Sequence, residues 1–416
     1  MNKYSNRIIK FINNNFALPE IKPNKFFSDI INIVRDTGNK IDYVTDGSRK
    51  LFQIHEKNQY PLMFLLFCKL YETNALHQIL DDDPDEKPLF SNKCDFVEFV
   101  YWYRKNQHRI NFYKLELNQE SNHELIQLYE LVYKTNGSRK ELHDLLYTNK
   151  FLSLDVQHHA ESVDMTKTVY HGSRFRLSVH IPDDGGDPID IKKIVHIIQF
   201  MNELGERNGS TKNPHIIIFA GLQRKQFPFD TEVKLLSSDN INSGASVMGE
   251  YIMIWREEEI YKVLIHELIH FHRIDAGDGY AGMSKYFMEK YNVRYVDKPN
   301  ESYTEALAVI FHSAFVSYYN NIPMETILQY ELMFTFLQIA KILLYFDITE
   351  TNQLGSKQII QTTSVFSYFI IKGALLADLE NFITFIGSTL AIGDRVEEFM
   401  LCVQRSMNAP GFFFGN

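Results

Sequence analysis

The segment that most restricts the fold of this chain is Arg256–Gly279, REEEIYKVLIHELIHFHRIDAGDG. It holds His266-Glu267-Leu268-Ile269-His270, the pattern H-E-x-x-H. On a helix, residues four apart share one face, so both imidazoles can point at one ion while Glu267 lies beside them to manage a water. The flanks read as a helix. Glu257, Glu258 and Glu259 place negative charge on the first turn, where the helix dipole favours it. Val263, Leu264, Leu268 and Ile269 supply an apolar face, and Gly277 is the expected stop.

The preceding residues read as sheet and helix in alternation. Phe175, Leu177, Val179 and Ile181 alternate with Arg176, Ser178 and His180, the period of a half-buried strand. Ile191 to Leu204 is an amphipathic helix closed by Gly205, His215–Phe219 is a short buried strand, and Ser246–Trp255 is a further strand. The resulting order is β-α-β-β-α, with the last helix beginning near Glu257. Elsewhere the pattern is helical. Phe96–Tyr103 and Leu125–Tyr133 carry apolar residues at threes and fours, a solvated acidic loop precedes them at Asp81–Lys87, and residues 323–400 are helical and apolar again. The expected fold class is α+β, mainly helical, with a helical accessory region at 1–154, a core of small mixed sheet plus active-site helix at 155–320, and a helical subdomain at 321–416.

Zinc in a catalytic site takes three protein ligands and keeps one position open. The extended pattern H-E-x-x-H-x-x-G-x-x-H is excluded, because Arg273 stands where glycine is needed and Ala276 where the last histidine is needed. Asp275 and Asp278 follow the helix closely enough to serve as third ligand. So does a carboxylate from Asn300-Glu301-Ser302-Tyr303-Thr304-Glu305-Ala306, where Asn300 is a good N-cap and Glu301 and Glu305 sit one turn apart. Two like charges at that spacing make sense if one binds metal and the other fixes a ligand imidazole. His272 faces away from the His266/His270 pair, and His158, His159, His171 and His180 have no partner spacing.

H-E-x-x-H followed some thirty residues later by N-E-x-x-x-E resembles the gluzincin clan of zinc peptidases. Glu301-Ser302-Tyr303-Thr304-Glu305-Ala306 is most similar to the anthrax lethal factor-like branch, and Asn240–Ala308 also resembles proposed zinc metallopeptidases of large DNA viruses. The resemblance covers roughly 170–320. It implies a zincin-like core, one Zn²⁺ held by His266, His270 and Glu301, Glu305 supporting a ligand, and Glu267 as general base. It implies a tyrosine near Tyr295 as oxyanion donor, with Tyr303 and His312 as rivals. It further implies that Ser243, Gly244 and Ala245 begin an edge strand along which a peptide substrate lies. A carboxypeptidase variant would need a cation such as Arg256, Arg273 or Arg294. The alternative is a structural or interaction protein, for instance a virion component, on the same scaffold.

Composition narrows the partners. The net charge is −9, from 43 Lys+Arg against 52 Asp+Glu, with no dense basic patch, which argues against nucleic-acid binding by bulk electrostatics. Hydrophobic content of 45% suits a globular chain. Three cysteines, Cys68, Cys94 and Cys402, form neither a disulfide framework nor a metal pair. No uncharged apolar run of about 20 residues and no secretory signal is present, so the expected protein is soluble and non-secreted, in host cytoplasm or virion if viral. Its substrate is a protein or peptide, and the N-terminal helical region is available for assembly partners.

Overall fold

The computed structural model describes residues 3–51, 64–70, 72, 125, 152–184, 188–228, 234–247, 250–350, 353–387, 389–409 and 412. The chain forms two compact units. One comprises Met1–Arg49, Phe151–Ser153 and Lys167–Asn416; the other comprises Lys50–Lys150 and Leu154–Thr166. In the second unit the helix Leu154–Ser162 and the buried residues Leu66, Leu70, Leu125 and Val156 fall within the described residues. The expected helix Phe96–Tyr103, the acidic loop and nearly all of Leu125–Tyr133 lie outside them.

The first unit is α+β. Among the described residues its sheet has six strands in the order β1-β2-β3-β4-β6-β5: β1 Val44–Leu51, β2 Met165–Gly172, β3 Phe175–Pro182, β4 His215–Phe219, β5 Gly244–Val247 and β6 Tyr251–Ile254. β4 runs parallel to both β3 and β6, whereas β5 runs antiparallel to β6, which makes the sheet mixed. β4 is a continuous apolar run because it lies inside the sheet, with Ile216, Ile217, Ile218 and Phe219 buried. The alternation in β3 had suggested one wet face. Instead Ser178 and His180 are buried along with Leu177 and Val179, because β3 is an interior strand covered on both sides, and Ile181 is exposed. The single strand expected over Ser246–Trp255 is a hairpin, turned where the Glu250 N–H donates to the Val247 carbonyl. β5 is thereby left at the sheet edge.

Two N-terminal helices, α1 Lys3–Asn15 and α2 Lys25–Gly38, belong to this same unit; Ile12, Phe27, Ile30 and Val34 are part of its core. So does the C-terminal region, which means the chain's own contacts do not divide at 154/155 and 320/321 as the residue patterns suggest. The N-terminal segment is not purely helical either, since it donates β1 to the sheet. After α3 (Leu154–Ser162) comes α4, Ile191–Arg207, begun by Asp190, whose side chain accepts the Lys193 N–H. α4 and α2 pack together, and α4 also backs the helix α5, Ile260–Phe271.

α5 carries the H-E-x-x-H pattern. The three glutamates before it form a short 3-10 turn, Glu257–Glu259, rather than the first α turn. The helix ends well short of Gly277. Arg273 takes a left-handed conformation (φ 57°), its N–H donates to the His270 carbonyl and the Ile274 N–H to the Ile269 carbonyl, a Schellman closure built without glycine. An arginine there costs about 1 kcal/mol. Burying Leu264, Ile265, Leu268 and Ile269 completely contributes about 1.5–3 kcal/mol each and outweighs that strain.

Beyond α6 (Tyr280–Lys290) and β7 (Val293–Tyr295) lies α7, Asn300–Asn320, buried for most of its length against α5, α2 and α8 (Met324–Tyr345). Among the described residues α8 is the one helix long and apolar enough to cross a membrane, with 39% of its most apolar window buried. It carries Glu331 and Lys341, and its Leu328, Leu332, Phe336 and Ile339 join the core. β8, Ile359–Gln361, pairs in parallel with β7. A π-helical segment, Phe366–Ile371, then runs directly into α9, Lys372–Ala377, followed by α10 (Leu379–Ile386) and α11 (Val396–Met407).

Candidate metal centre

Packing of α7 on α5 brings three ligand atoms together. His270 Nε2 lies 3.0 Å from His266 Nε2 and 3.1 Å from Glu301 Oε2, and His266 Nε2 lies 3.4 Å from the same oxygen. Zinc bonds of about 2.0–2.1 Å at tetrahedral angles set ligand atoms about 3.3 Å apart, so the spacing suits that ion. Ala306 and Ala308 are completely buried in α7, which lacks bulk at those positions.

Each imidazole is oriented by a carboxylate on its far side. His270 Nδ1 donates to Asp275 Oδ2 at 2.8 Å, and the same oxygen accepts from Asn300 Nδ2 at 2.8 Å. His266 Nδ1 lies 3.0 Å from Glu305 Oε1, off the line of a good hydrogen bond, while Lys262 Nζ holds Glu305 Oε2 at 2.8 Å. With each Nδ1 turned to a carboxylate, both Nε2 lone pairs and the Glu301 oxygen face one another. That array repels itself unless a cation or protons lie within it.

The titration behaviour follows from that geometry. Burial alone would depress His266, but Glu301 and Glu305 outweigh it and lift the imidazole to about 9. Burial likewise opposes charge on His270, and Asp275 and Glu301 raise it well above the ordinary range. Glu301 and Glu305 are pushed up by burial and pulled down further, Glu301 by the two histidines and Glu305 by Lys262 and His266. Glu267 behaves oppositely. Burial lifts its carboxyl, and the nearby histidines only partly offset that. Its position is tight: a Cβ on Gly244 would stand 2.9 Å from Glu267 Oε1 and 2.5 Å from Val263 Cγ1, so the edge strand approaches α5 closely only because residue 244 lacks a side chain. Ser246, also on β5, acts with the histidines to moderate the rise of the Glu267 carboxyl. Ser243 Oγ donates to Glu259 Oε2 at 2.6 Å, and Ala245 pairs with Met253.

Several expected residues fall elsewhere. Tyr295 is 76% exposed at the end of β7, with a left-handed φ of 77°, and does not reach the cluster. Tyr303 is buried but donates its hydroxyl to the Leu390 carbonyl. His312 lies near Lys262, and burial lowers it to about 4. Asp275 supports His270 instead of joining the three ligand atoms, and Asp278 is exposed. Asn300 does not cap α7; Pro299 precedes the helix and the asparagine reaches Asp275. His272 is taken up by Ser210 and Asn202, Arg256 by the carbonyls of Asn242, Gln223 and Asp239, while Arg273 and Arg294 are exposed.

The tyrosine that does approach the ligands is Tyr368, in the π-helical segment. Its ring centroid is 5.9 Å from that of His266, and burial together with the carboxylates of Glu301, Glu267 and Glu305 holds its hydroxyl well above the usual phenol range. No local motif marks it. It lies far beyond Glu301 in a stretch that reads as ordinary apolar helix, and only the packing of that segment on α7 brings it in.

Removing Asp275 tests how the site is supported. Asp275→Ala frees the His270 ring and should weaken zinc binding about 10–100-fold, measured by competition with a chromophoric chelator. Unchanged affinity would show that the contact is incidental.

Comparison with models of protein families, with curated proteins and with solved structures finds no match.

Proposed function

We propose that the chain is a zinc-dependent peptidase with a zincin-like core. The observation that carries this reading is the meeting of His266 Nε2, His270 Nε2 and Glu301 Oε2 beside the buried Glu267. Two nitrogens and one oxygen on rigid helices, with a carboxylate adjacent, are the donor set that hydrolytic zinc uses. When bound, zinc supplies Lewis acidity and makes a water nucleophilic at neutral pH.

The chain's own residues supply the remaining chemistry. Glu267, raised by burial, takes the proton from the attacking water and returns it to the leaving amine nitrogen. Tyr368 donates its hydroxyl to the oxygen that gains charge as the carbonyl becomes tetrahedral. β5 presents the outer edge of the sheet beside Glu267, so an extended peptide adds to it through backbone hydrogen bonds. The Arg256 guanidinium is already engaged by three backbone carbonyls, which makes it a poor receiver for a terminal carboxylate and favours cleavage within chains.

Metal analysis of the purified chain, with hydrolysis of a broad peptide library before and after chelation and zinc return, tests the reading. The expected result is one zinc per chain and cleavage that follows the metal. Zinc without cleavage of any peptide would favour an interaction protein on this scaffold, and absence of zinc would overturn the peptidase reading. For Tyr368→Phe the expected loss in kcat is about 10²–10³-fold, with zinc content and KM unchanged. Wild-type turnover by that variant would remove Tyr368 from the mechanism.

A further inference from the structure

The chain segments leading into Glu301 and into Tyr368 lie side by side. β7 and β8 run parallel with Tyr295 opposite Gln361. Just beyond Tyr295, the carboxylate of Asp297 is 3% exposed and meets three donors. Its Oδ1 accepts from the Ser367 N–H and from Gln361 Nε2, both at 3.2 Å, and its Oδ2 accepts from Ser367 Oγ at 2.7 Å. Gln361 is completely buried; its Nε2 also donates to the Val296 carbonyl, and its Oε1 accepts the Phe366 N–H at 2.8 Å. The Lys298 N–H donates to Ser364 Oγ at 3.1 Å.

The backbone N–H groups of Phe366 and Ser367, the two residues before Tyr368, are therefore both held by side chains from the β7–β8 region. First-turn N–H groups have no intrahelical partner and need such acceptors. A π segment is also a wide, uncommon turn whose side-chain directions depend on what holds it. Among the described residues no cation is hydrogen-bonded to Asp297, and burial lifts its carboxyl to about 6, so a neutral residue would be cheaper to bury there.

We infer that Asp297 and Gln361 are positioning residues for Tyr368: they fix the π turn so that its ring lies beside that of His266, and neither touches substrate. The effect on rate rests on the reading of Tyr368 as the oxyanion donor. The placement of the phenol does not.

The test uses the zinc-loaded full chain with Asp297→Ala, Asp297→Asn and Gln361→Met. Asp297→Ala should keep one zinc per chain and an unchanged KM while kcat falls about 10–100-fold. Asn should restore most of it, because its Oδ1 still accepts the Ser367 N–H and its Nδ2 can donate to Ser367 Oγ. In a Tyr368→Phe background Asp297→Ala should cost nothing more, since both act through one hydroxyl. Additive losses would overturn the inference. Independently of activity, 3-fluorotyrosine at position 368 should give one sharp ¹⁹F resonance in wild type and a shifted or broadened one in Asp297→Ala. An unmoved resonance would also overturn the inference. Should wild type cleave nothing, the peptidase reading fails and the fluorine measurement still decides. Gln361→Met serves all these arms if Asp297→Ala does not fold.

Discussion

Glu267→Gln should bind one zinc per chain and lose peptide hydrolysis by about 10²–10⁴-fold, the span that general acid–base catalysis supplies. The change is nearly isosteric, which matters at this position. Gly244 brings the edge strand against the Glu267 carboxylate, so a larger residue would push β5 away from α5 and a smaller one would leave a void. Glutamine fills the same space without disturbing that contact. What it lacks is a basic oxygen. The three atoms that would grip the metal belong to other residues, so zinc content should not change. Metal analysis and turnover measured on one preparation separate the two effects. Unchanged hydrolysis would remove Glu267 as the base; loss of zinc would show that its carboxylate helps hold the metal.

The legible parts of this fold were those in which local pattern and tertiary demand coincide. H-E-x-x-H with its apolar flanks reads as a helix, and α5 is one, carrying His266, Glu267 and His270. Glu301 and Glu305 lie one turn apart, so once α7 packs on α5 each reaches a histidine, the first at Nε2 and the second near Nδ1. The second carboxylate, on His270, was harder. Asp275 had been weighed as a ligand because it follows the helix closely, and its actual place depends on Arg273 adopting a left-handed turn that normally favours glycine. Spacing cannot show that. Tyr368 was out of reach for another reason: its link to the site is a long-range packing of the π segment on α7, with no periodic or chemical signature of its own. Tyr295 stands near the place where the resembling peptidases carry a tyrosine, yet it lies exposed in a left-handed backbone conformation. At the sheet's margins the pattern misleads: β1 comes from a segment otherwise helical in pattern, and β5 and β6 follow each other across only three residues, so they read as one strand.

Glu301→Ala should abolish stoichiometric zinc, whereas Asp278→Ala should leave it at one per chain. Supporting contacts to a ligand typically change metal affinity about 10–100-fold, and removal of a ligand should exceed that. Glu301 is the lone carboxylate in the three-atom group, and it also supplies the negative charge that both imidazoles face. Without it, two neutral imidazoles remain with their lone pairs about 3 Å apart, too few ligands for a tetrahedral site that must keep one position open. Glu305 cannot substitute, because Lys262 holds one of its oxygens and the other lies on the far side of the His266 ring, 3.0 Å from Nδ1. Asp278 is exposed and outside the ligand group, so its removal is the matched control for loss of a nearby negative charge. Zinc lost in Asp278→Ala but retained in Glu301→Ala would transfer the third ligand to the loop after α5. Zinc retained in both would leave the histidine pair without the carboxylate partner from which the hydrolytic reading is built.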